Sequence, residues 1–257
     1  MAALNDRSPA ARTAFVTAYF GLLVAALALP VRAQAPDPDA QRSTASASHP
    51  APRELVVLVH GMGRSVFSMR PLASALEADG YDVLSFGYSS ICCSIPELGA
   101  QLREAVDARM GDEITKVHFV GHSLGNILVR WVLTRDTLPP RVGRVVMLAP
   151  PNQGAEKADR FAAVAGWFLR PIDELRTDSL STVQRLPAVN GVEIGVISAR
   201  DDRTVKLTET HLDEETAHII VGGGHTFIMR REEVFVRVSE FLRTGRFAMT
   251  DSVRSQR

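Results

Sequence analysis

Short apolar runs rich in β-branched residues alternate along this chain with longer stretches whose apolar positions recur every three or four residues. The first run, residues 55–59, is Leu-Val-Val-Leu-Val, with no polar position in it. An unbroken run of this kind fits a strand covered on both faces, as in a parallel sheet. A helix is predicted over 71–79, stopped by Gly80, and a strand over 81–86. Pro96 opens a second helix through Leu98, Leu102, Val106 and Met110, and Gly111 ends it. A strand over 117–120 leads into a helix over 124–135. Further strands are predicted over 142–148, 192–198 and 218–221. The last helix, 232–243, places Val234, Phe235, Val238, Phe241 and Leu242 on one face. Strand followed by helix throughout predicts an α/β fold, a doubly wound and mostly parallel sheet.

Residues 151–190 break the rhythm, being longer than an ordinary connection. Within them Phe161, Val164, Ala165, Phe168 and Leu169 recur at helical spacing, with Trp167 nearby. This pattern fits a crossover helix packed on the sheet. It also fits a short lid-like insertion in which Phe161, Trp167 and Phe168 wall a substrate pocket.

The ends of the chain read differently. Arg7 and Arg12 precede an apolar, Ala/Leu-rich run over 15–29, and Val31-Arg32-Ala33 offers small residues for cleavage. Residues 1–33 are therefore expected to be a signal peptide that sends the chain to the periplasm or out of the cell. An uncleaved membrane anchor is the other reading. Residues 34–53 hold hardly a large apolar side chain and are expected to form a disordered linker. A single domain is expected over 54–245, with a flexible tail over 246–257.

Composition narrows the function classes. A hydrophobic fraction of 46% beside 23% charged residues supports a sizeable core. Twenty-nine basic residues balance 29 acidic ones, so no long-range field recruits nucleic acid. Cys92 and Cys93 are adjacent, which is no disulfide framework. They are either two ordinary thiols or a vicinal disulfide. With no second cysteine pair and no H-E-x-x-H, no metal site is expected.

The candidate chemistry centres on Gly121-His122-Ser123-Leu124-Gly125, set between a predicted strand and a predicted helix. That is the context of a G-x-S-x-G nucleophile elbow. A serine hydroxyl is a weak nucleophile until a base takes its proton, and the base needs a carboxylate to orient it. Among seven histidines, His225 alone follows a late strand through Gly222-Gly223-Gly224 and precedes a helix. Asp201 and Asp202 both follow a strand, and Asp202-Arg203-Thr204-Val205 has the D-x-x-V form that favours Asp202. Donors for an oxyanion are expected from the backbone N–H groups of Leu124, after the nucleophile, and of Met62, in the His60-Gly61-Met62-Gly63 loop after the first strand.

With these residues in view, the chain resembles the α/β-hydrolase superfamily, and within it the bacterial triacylglycerol lipase and esterase group, over residues 54–245. His60-Gly61-Met62-Gly63 is similar to that group's oxyanion loop, Gly121-His122-Ser123-Leu124-Gly125 to its elbow, and Gly224-His225-Thr226-Phe227 to the histidine loop of smaller members. Pro150-Pro151-Asn152-Gln153-Gly154 is similar to its T-P-N-x-G segment, with Pro150 in place of threonine. Asn152 is read as structural. The resemblance implies Ser123 as nucleophile, Asp202 as acid, His225 as base, and hydrolysis of a small acyl ester or lipid without a cofactor. It also implies transient contact with a membrane or lipid surface. Residues 155–190 are short beside the lids of large lipases, and Lys206 replaces the proline usual after D-x-x-V. Both departures weaken a reading as a long-chain fat hydrolase. An acyltransferase, thioesterase or amidase would use the same triad, and a non-catalytic binding protein would use the same fold.

Overall fold

The unbroken apolar runs become the middle of the sheet. The computed structural model describes residues 53–135, 141–158, 174–177 and 181–247. Its strands are β1 (Arg53–Val59), β2 (Asp82–Phe86), β3 (Ile114–His122), β4 (Val142–Leu148), β5 (Ile194–Ala199) and β6 (Ala217–Val221). They form one six-stranded sheet in the order β2-β1-β3-β4-β5-β6. Every pairing in it is parallel. Leu55 to Val59 are all 0–1% exposed because helices cover both faces. Leu55, Val57 and Val59 pack towards α2 (Ile95–Asp107) and α3 (Leu124–Leu133). Val56 and Leu58 pack towards α1 (Val66–Ala78) and α4 (Glu232–Thr244). Each large apolar side chain buried this way contributes about 1.5–3 kcal/mol.

The strand order reverses between β1 and β3. Chain segments leaving the carboxyl ends of these neighbours diverge and open a crevice, where α/β sheets hold ligands. The His60–Gly63 loop leaves β1 there, and the Ser123 turn leaves β3.

Two elements differ from their sequence patterns. Helix α1 begins at Val66, not at Pro71, which lies inside it. Its buried stripe, Met69, Leu72, Ala73 and Leu76, starts before the proline. The carbonyl that Pro71 leaves without a helical donor belongs to Phe67, which is 69% exposed. Strand β3 runs beyond residue 120 through Gly121 and His122, delivering the chain directly to Ser123. Helix α2 starts as its sequence suggests. Ser94 caps it, Glu97 closes the capping box, and Pro96 sits in the first turn.

Cys92 and Cys93, in the β2–α2 loop, are joined as a disulfide. The segments 1–33, 34–52 and 248–257, and with them the signal peptide, nearly all of the linker and most of the tail, lie outside the described residues.

Candidate active site

The Ser123 turn is built by close approach. Ser123 has φ 51° and ψ −123°, a left-handed conformation that costs an L residue about 1–3 kcal/mol. Its surroundings hold it there. The Ser123 N–H donates to the Leu148 carbonyl at 3.0 Å. The buried Asn126 amide donates to the carbonyls of Ser123 and Leu148 at 3.1 and 3.0 Å. A Cβ on Gly121 would lie 2.4 Å from Asn126 Oδ1, and one on Gly125 would lie 2.3 Å from the Val59 carbonyl oxygen. The two glycines are therefore spacers that let strand and helix close on the serine.

His225 follows β6 through the glycine loop and begins a 3-10 turn, His225–Arg230. Its Nε2 lies 2.9 Å from Ser123 Oγ. Its Nδ1 lies 2.7 Å from Asp202 Oδ2. The carboxylate is fixed from behind, with Asp202 Oδ1 accepting from the N–H groups of Thr204 and Val205 at 2.7 and 2.9 Å. The side chains of His225 and Asp202 are 11% and 2% exposed, so little water competes for this contact. A carboxylate on Nδ1 makes that nitrogen the donor and leaves Nε2 as acceptor towards the serine hydroxyl. Asp201, the other sequence candidate, points elsewhere. Its Oδ2 accepts from the Gly223 N–H at 3.3 Å, and its own N–H donates to the Gly223 carbonyl at 3.0 Å. It ties the β5 loop to the glycine loop.

The loop after β1 is equally constrained. Arg64 N–H donates to the Gly61 carbonyl at 3.2 Å, closing a turn with Met62 and Gly63 at its corner. Gly63 has φ +64°, the conformation the third position of a type II turn requires. A Cβ on Gly61 would lie 3.0 Å from the Cβ of Ser123, which places this backbone against that serine. Gly63 N–H donates to Ser90 Oγ at 2.9 Å, and Tyr88 Oη–H donates to the His60 carbonyl at 2.6 Å. The rings of His60 and Tyr88 stack at 4.2 Å. Burial pushes the Tyr88 hydroxyl up and the His60 imidazole down, so both stay neutral struts. Leu124 N–H lies at the first position of α3, where no helical acceptor exists.

Ser123 and His225 open onto a cavity of about 380 Å³, walled mainly by Met62, Pro151, Ala155, Ala158, Leu175 and Val205. The structure thus brings Ser123, Asp202 and His225 into one hydrogen-bonded line, with Met62 and Leu124 beside it. Phe161, Trp167 and Phe168 lie outside the described residues. Asn152 is buried and donates to the Thr210 carbonyl at 2.9 Å.

Two contributors were not legible as such from sequence. Asn126 stands at the third position after the serine, where a helix start brings an amide back to the turn it follows. In the sequence His122 reads as no more than part of the Gly-bearing turn. Its Nε2–H donates to the His225 carbonyl at 3.0 Å. Burial holds its pKa well below the ordinary histidine value, with the neighbouring His225 adding to the effect. It is a neutral donor.

The sequence profile described as "Alpha/beta hydrolase family" matches residues 56–191. No curated protein sequence matches the chain. Several solved structures are similar in fold. One is the lipase BlEst2 of Bacillus licheniformis in its propeptide form, with TM-score 0.60 and 19% identity, covering 75% of this chain and 51% of that one. The chain thus spans about half of that protein's length. The esterase Pf2001 of Pyrococcus furiosus superposes with TM-score 0.54 and 20% identity, over 75% of this chain and 83% of its own. A monoacylglycerol lipase of Paleococcus ferrophilus gives TM-score 0.54 and 16% identity, over 76% and 97%. At these identities the likeness is one of fold.

Proposed function

This chain belongs to the alpha/beta hydrolase family, and on that premise we propose that it is a serine carboxylester hydrolase working through an acyl-enzyme. The observation that carries the reading is the continuous line from Asp202 through His225 to Ser123, with contacts of 2.7 and 2.9 Å, at the mouth of an apolar cavity.

The chemistry follows from the geometry. His225 Nε2 takes the proton of Ser123 as Oγ attacks the ester carbonyl. Asp202 stabilises the imidazolium that forms and keeps its ring in register. The oxyanion meets the N–H groups of Met62 and Leu124, each such donor being worth about 3 kcal/mol of barrier. His225 then gives its proton to the departing alkoxide, leaving the acyl group on Ser123. Water enters, gives a proton to His225 and attacks the acyl carbon. Collapse returns the proton to Ser123 and frees the acid. The apolar walls receive the acyl chain of a small ester or lipid, and protein groups supply all the proton transfers.

We assign the chain to an oxidising compartment, periplasmic or extracellular. The signal-like pattern over 1–33 supports this, as does the Cys92–Cys93 disulfide, a bond that cytosolic thiol pools reduce.

The test is labelling and turnover together. A fluorophosphonate probe is expected to label the wild type and leave Ser123→Ala unlabelled. p-Nitrophenyl esters of graded chain length are expected to be hydrolysed, and Ser123→Ala to lose at least about 10⁴-fold in kcat. Equal labelling of both proteins removes the nucleophile. Labelling with turnover only of thioesters or amides keeps the triad and overturns the ester assignment.

A further inference from the structure

On the same β5–β6 crossover, but at the amino end of β6, three potential metal ligands converge. His211 Nδ1 lies 3.0 Å from Glu215 Oε1, and His218 Nδ1 lies 2.9 Å from that same oxygen. The three donor atoms all fall within 4.8 Å of one another. We propose that His211, Glu215 and His218 form a binding site for one divalent transition-metal ion of the zinc type.

A buried chain of hydrogen bonds orients the His218 ring for this role. Thr210 Oγ1–H donates to the Leu207 carbonyl at 2.6 Å. Ser198 Oγ–H donates to Thr210 Oγ1 at 2.8 Å, which uses the only proton Ser198 has. Ser198 Oγ also lies 2.7 Å from His218 Nε2, so that contact takes its hydrogen from the ring. His218 is therefore protonated on Nε2. In the neutral ring this leaves a lone pair on Nδ1, aimed at a carboxylate oxygen. Two lone pairs at 2.9 Å repel unless a cation lies between them.

A proton would satisfy one such pair. Here a third ligand atom, His211 Nδ1, converges on the same oxygen, and three such atoms around one point are the arrangement that a single ion of higher coordination number takes. Zinc–ligand bonds of about 2.0–2.1 Å put tetrahedral neighbours about 3.3 Å apart. The two nitrogen–oxygen spacings of 3.0 and 2.9 Å need only a small opening, and the two nitrogens lie within 4.8 Å of each other. The second shell is in place as well. Ligating histidines almost always donate their other N–H to a fixed acceptor, and the fully buried Ser198 is that acceptor. Glu215 Oε2 accepts from the Leu212 N–H at 3.2 Å, which orients the carboxylate. His211 is 61% exposed, giving an ion access and leaving its fourth position to water. The acidic neighbours Asp213 and Glu214 draw cations to this turn.

The His-x3-Glu-x2-His spacing spans a turn and the start of a strand, so it matches neither a cysteine-pair nor an H-E-x-x-H pattern. The ion would staple the crossover that carries Asp202 at one end and leads to His225 at the other, without touching the reacting atoms.

The experiment uses the whole chain without a polyhistidine tag, stripped with a chelator, dialysed and titrated calorimetrically with ZnCl2. One ion per chain is expected, with a rise in melting temperature. His211→Ala, at an exposed position that leaves the fold alone, is expected to weaken binding at least about 100-fold. Ser198→Ala keeps all three ligands and is expected to cost about 10–100-fold. Absence of Zn²⁺ binding by the wild type, or unchanged affinity in His211→Ala, overturns the site. Neither result bears on the Ser123 chemistry, which fluorophosphonate labelling reads separately.

Discussion

The Nε2–H of His122 donates to the backbone carbonyl of His225, tying the residue before Ser123 to the residue proposed to deprotonate that serine. This bond fixes where the imidazole of His225 starts from. A misplacement on the ångström scale costs up to about 100-fold in rate. His122→Leu is therefore expected to lower kcat about 10–100-fold with a smaller effect on KM, because His122 is buried and forms only a small part of the cavity lining. His122→Gln keeps an N–H donor and is expected to recover part of the loss. Steady-state kinetics on a p-nitrophenyl ester decides. A proportional loss in both variants would mean that His122 only fills space.

The two neighbouring aspartates separate cleanly. Asp202 reaches the imidazole at 2.7 Å, whereas Asp201 reaches the Gly223 backbone. Asp202→Asn replaces an acceptor with an amide and lets the imidazole settle in the wrong tautomer, a change expected to cost about 10⁴-fold in kcat. Asp201→Asn keeps an oxygen for the Gly223 N–H and is expected to cost less than about 10-fold. The same kinetics, run on both variants, checks the order, and its reversal would exchange the roles.

Acid sensitivity follows from a buried histidine outside the site. His118 Nδ1 accepts from the Arg144 N–H at 2.9 Å, and its Nε2–H faces Glu54 Oε2 at 3.2 Å. Burial pushes its pKa below 6.5, against the opposing pull of Glu54. Between that lowered value and 6.5 the unfolded chain binds a proton that the folded chain refuses. Stability therefore rises with pH through this window, by at most about 1.4 kcal/mol per pH unit for each such histidine. His122 and His60 shift in the same direction. The melting temperature is expected to fall from pH 7.5 to pH 5, with a shallower fall in His118→Gln. A flat wild-type profile would refute the assignment.

The legible parts of this chain are those whose physics is local. The turn at Ser123 announces itself because two spacers and a strand–helix junction must sit within a few residues. Asp202 is legible because Thr204 and Val205, its backbone partners, lie inside the same short turn. The start of α1 is not legible, since Ser65 makes no side-chain cap and Pro71 imitates a first turn. His122 and Asn126 act on groups brought near by β3 and α3 packing, which no spacing reveals. The His218 ring that meets Glu215 and His211 is held from behind by Ser198, on the neighbouring strand. Pairing of that kind depends on sheet register, which is set by the whole fold.

Gly125 tests whether the junction is packed as tightly as the site requires. A methyl group there would lie 2.3 Å from the Val59 carbonyl oxygen and 2.7 Å from that of His60. Both atoms belong to the backbone at the end of β1, so neither can swing aside. Replacing a helical glycine with alanine gains up to about 1 kcal/mol of propensity. Overpacking against fixed backbone costs about 1–3 kcal/mol, and the larger effect wins. Gly125→Ala is therefore expected to lower the urea midpoint with an unchanged slope. Turnover falls with it, because α3 must back away and carry Ser123 and the Leu124 N–H from the Met62 loop. Gly63→Ala supplies the contrast. It meets nothing within 4 Å and bears only the cost of φ +64°, about 1–2 kcal/mol. A Gly125→Ala protein as stable and as active as the wild type would show that β1 and α3 do not meet here.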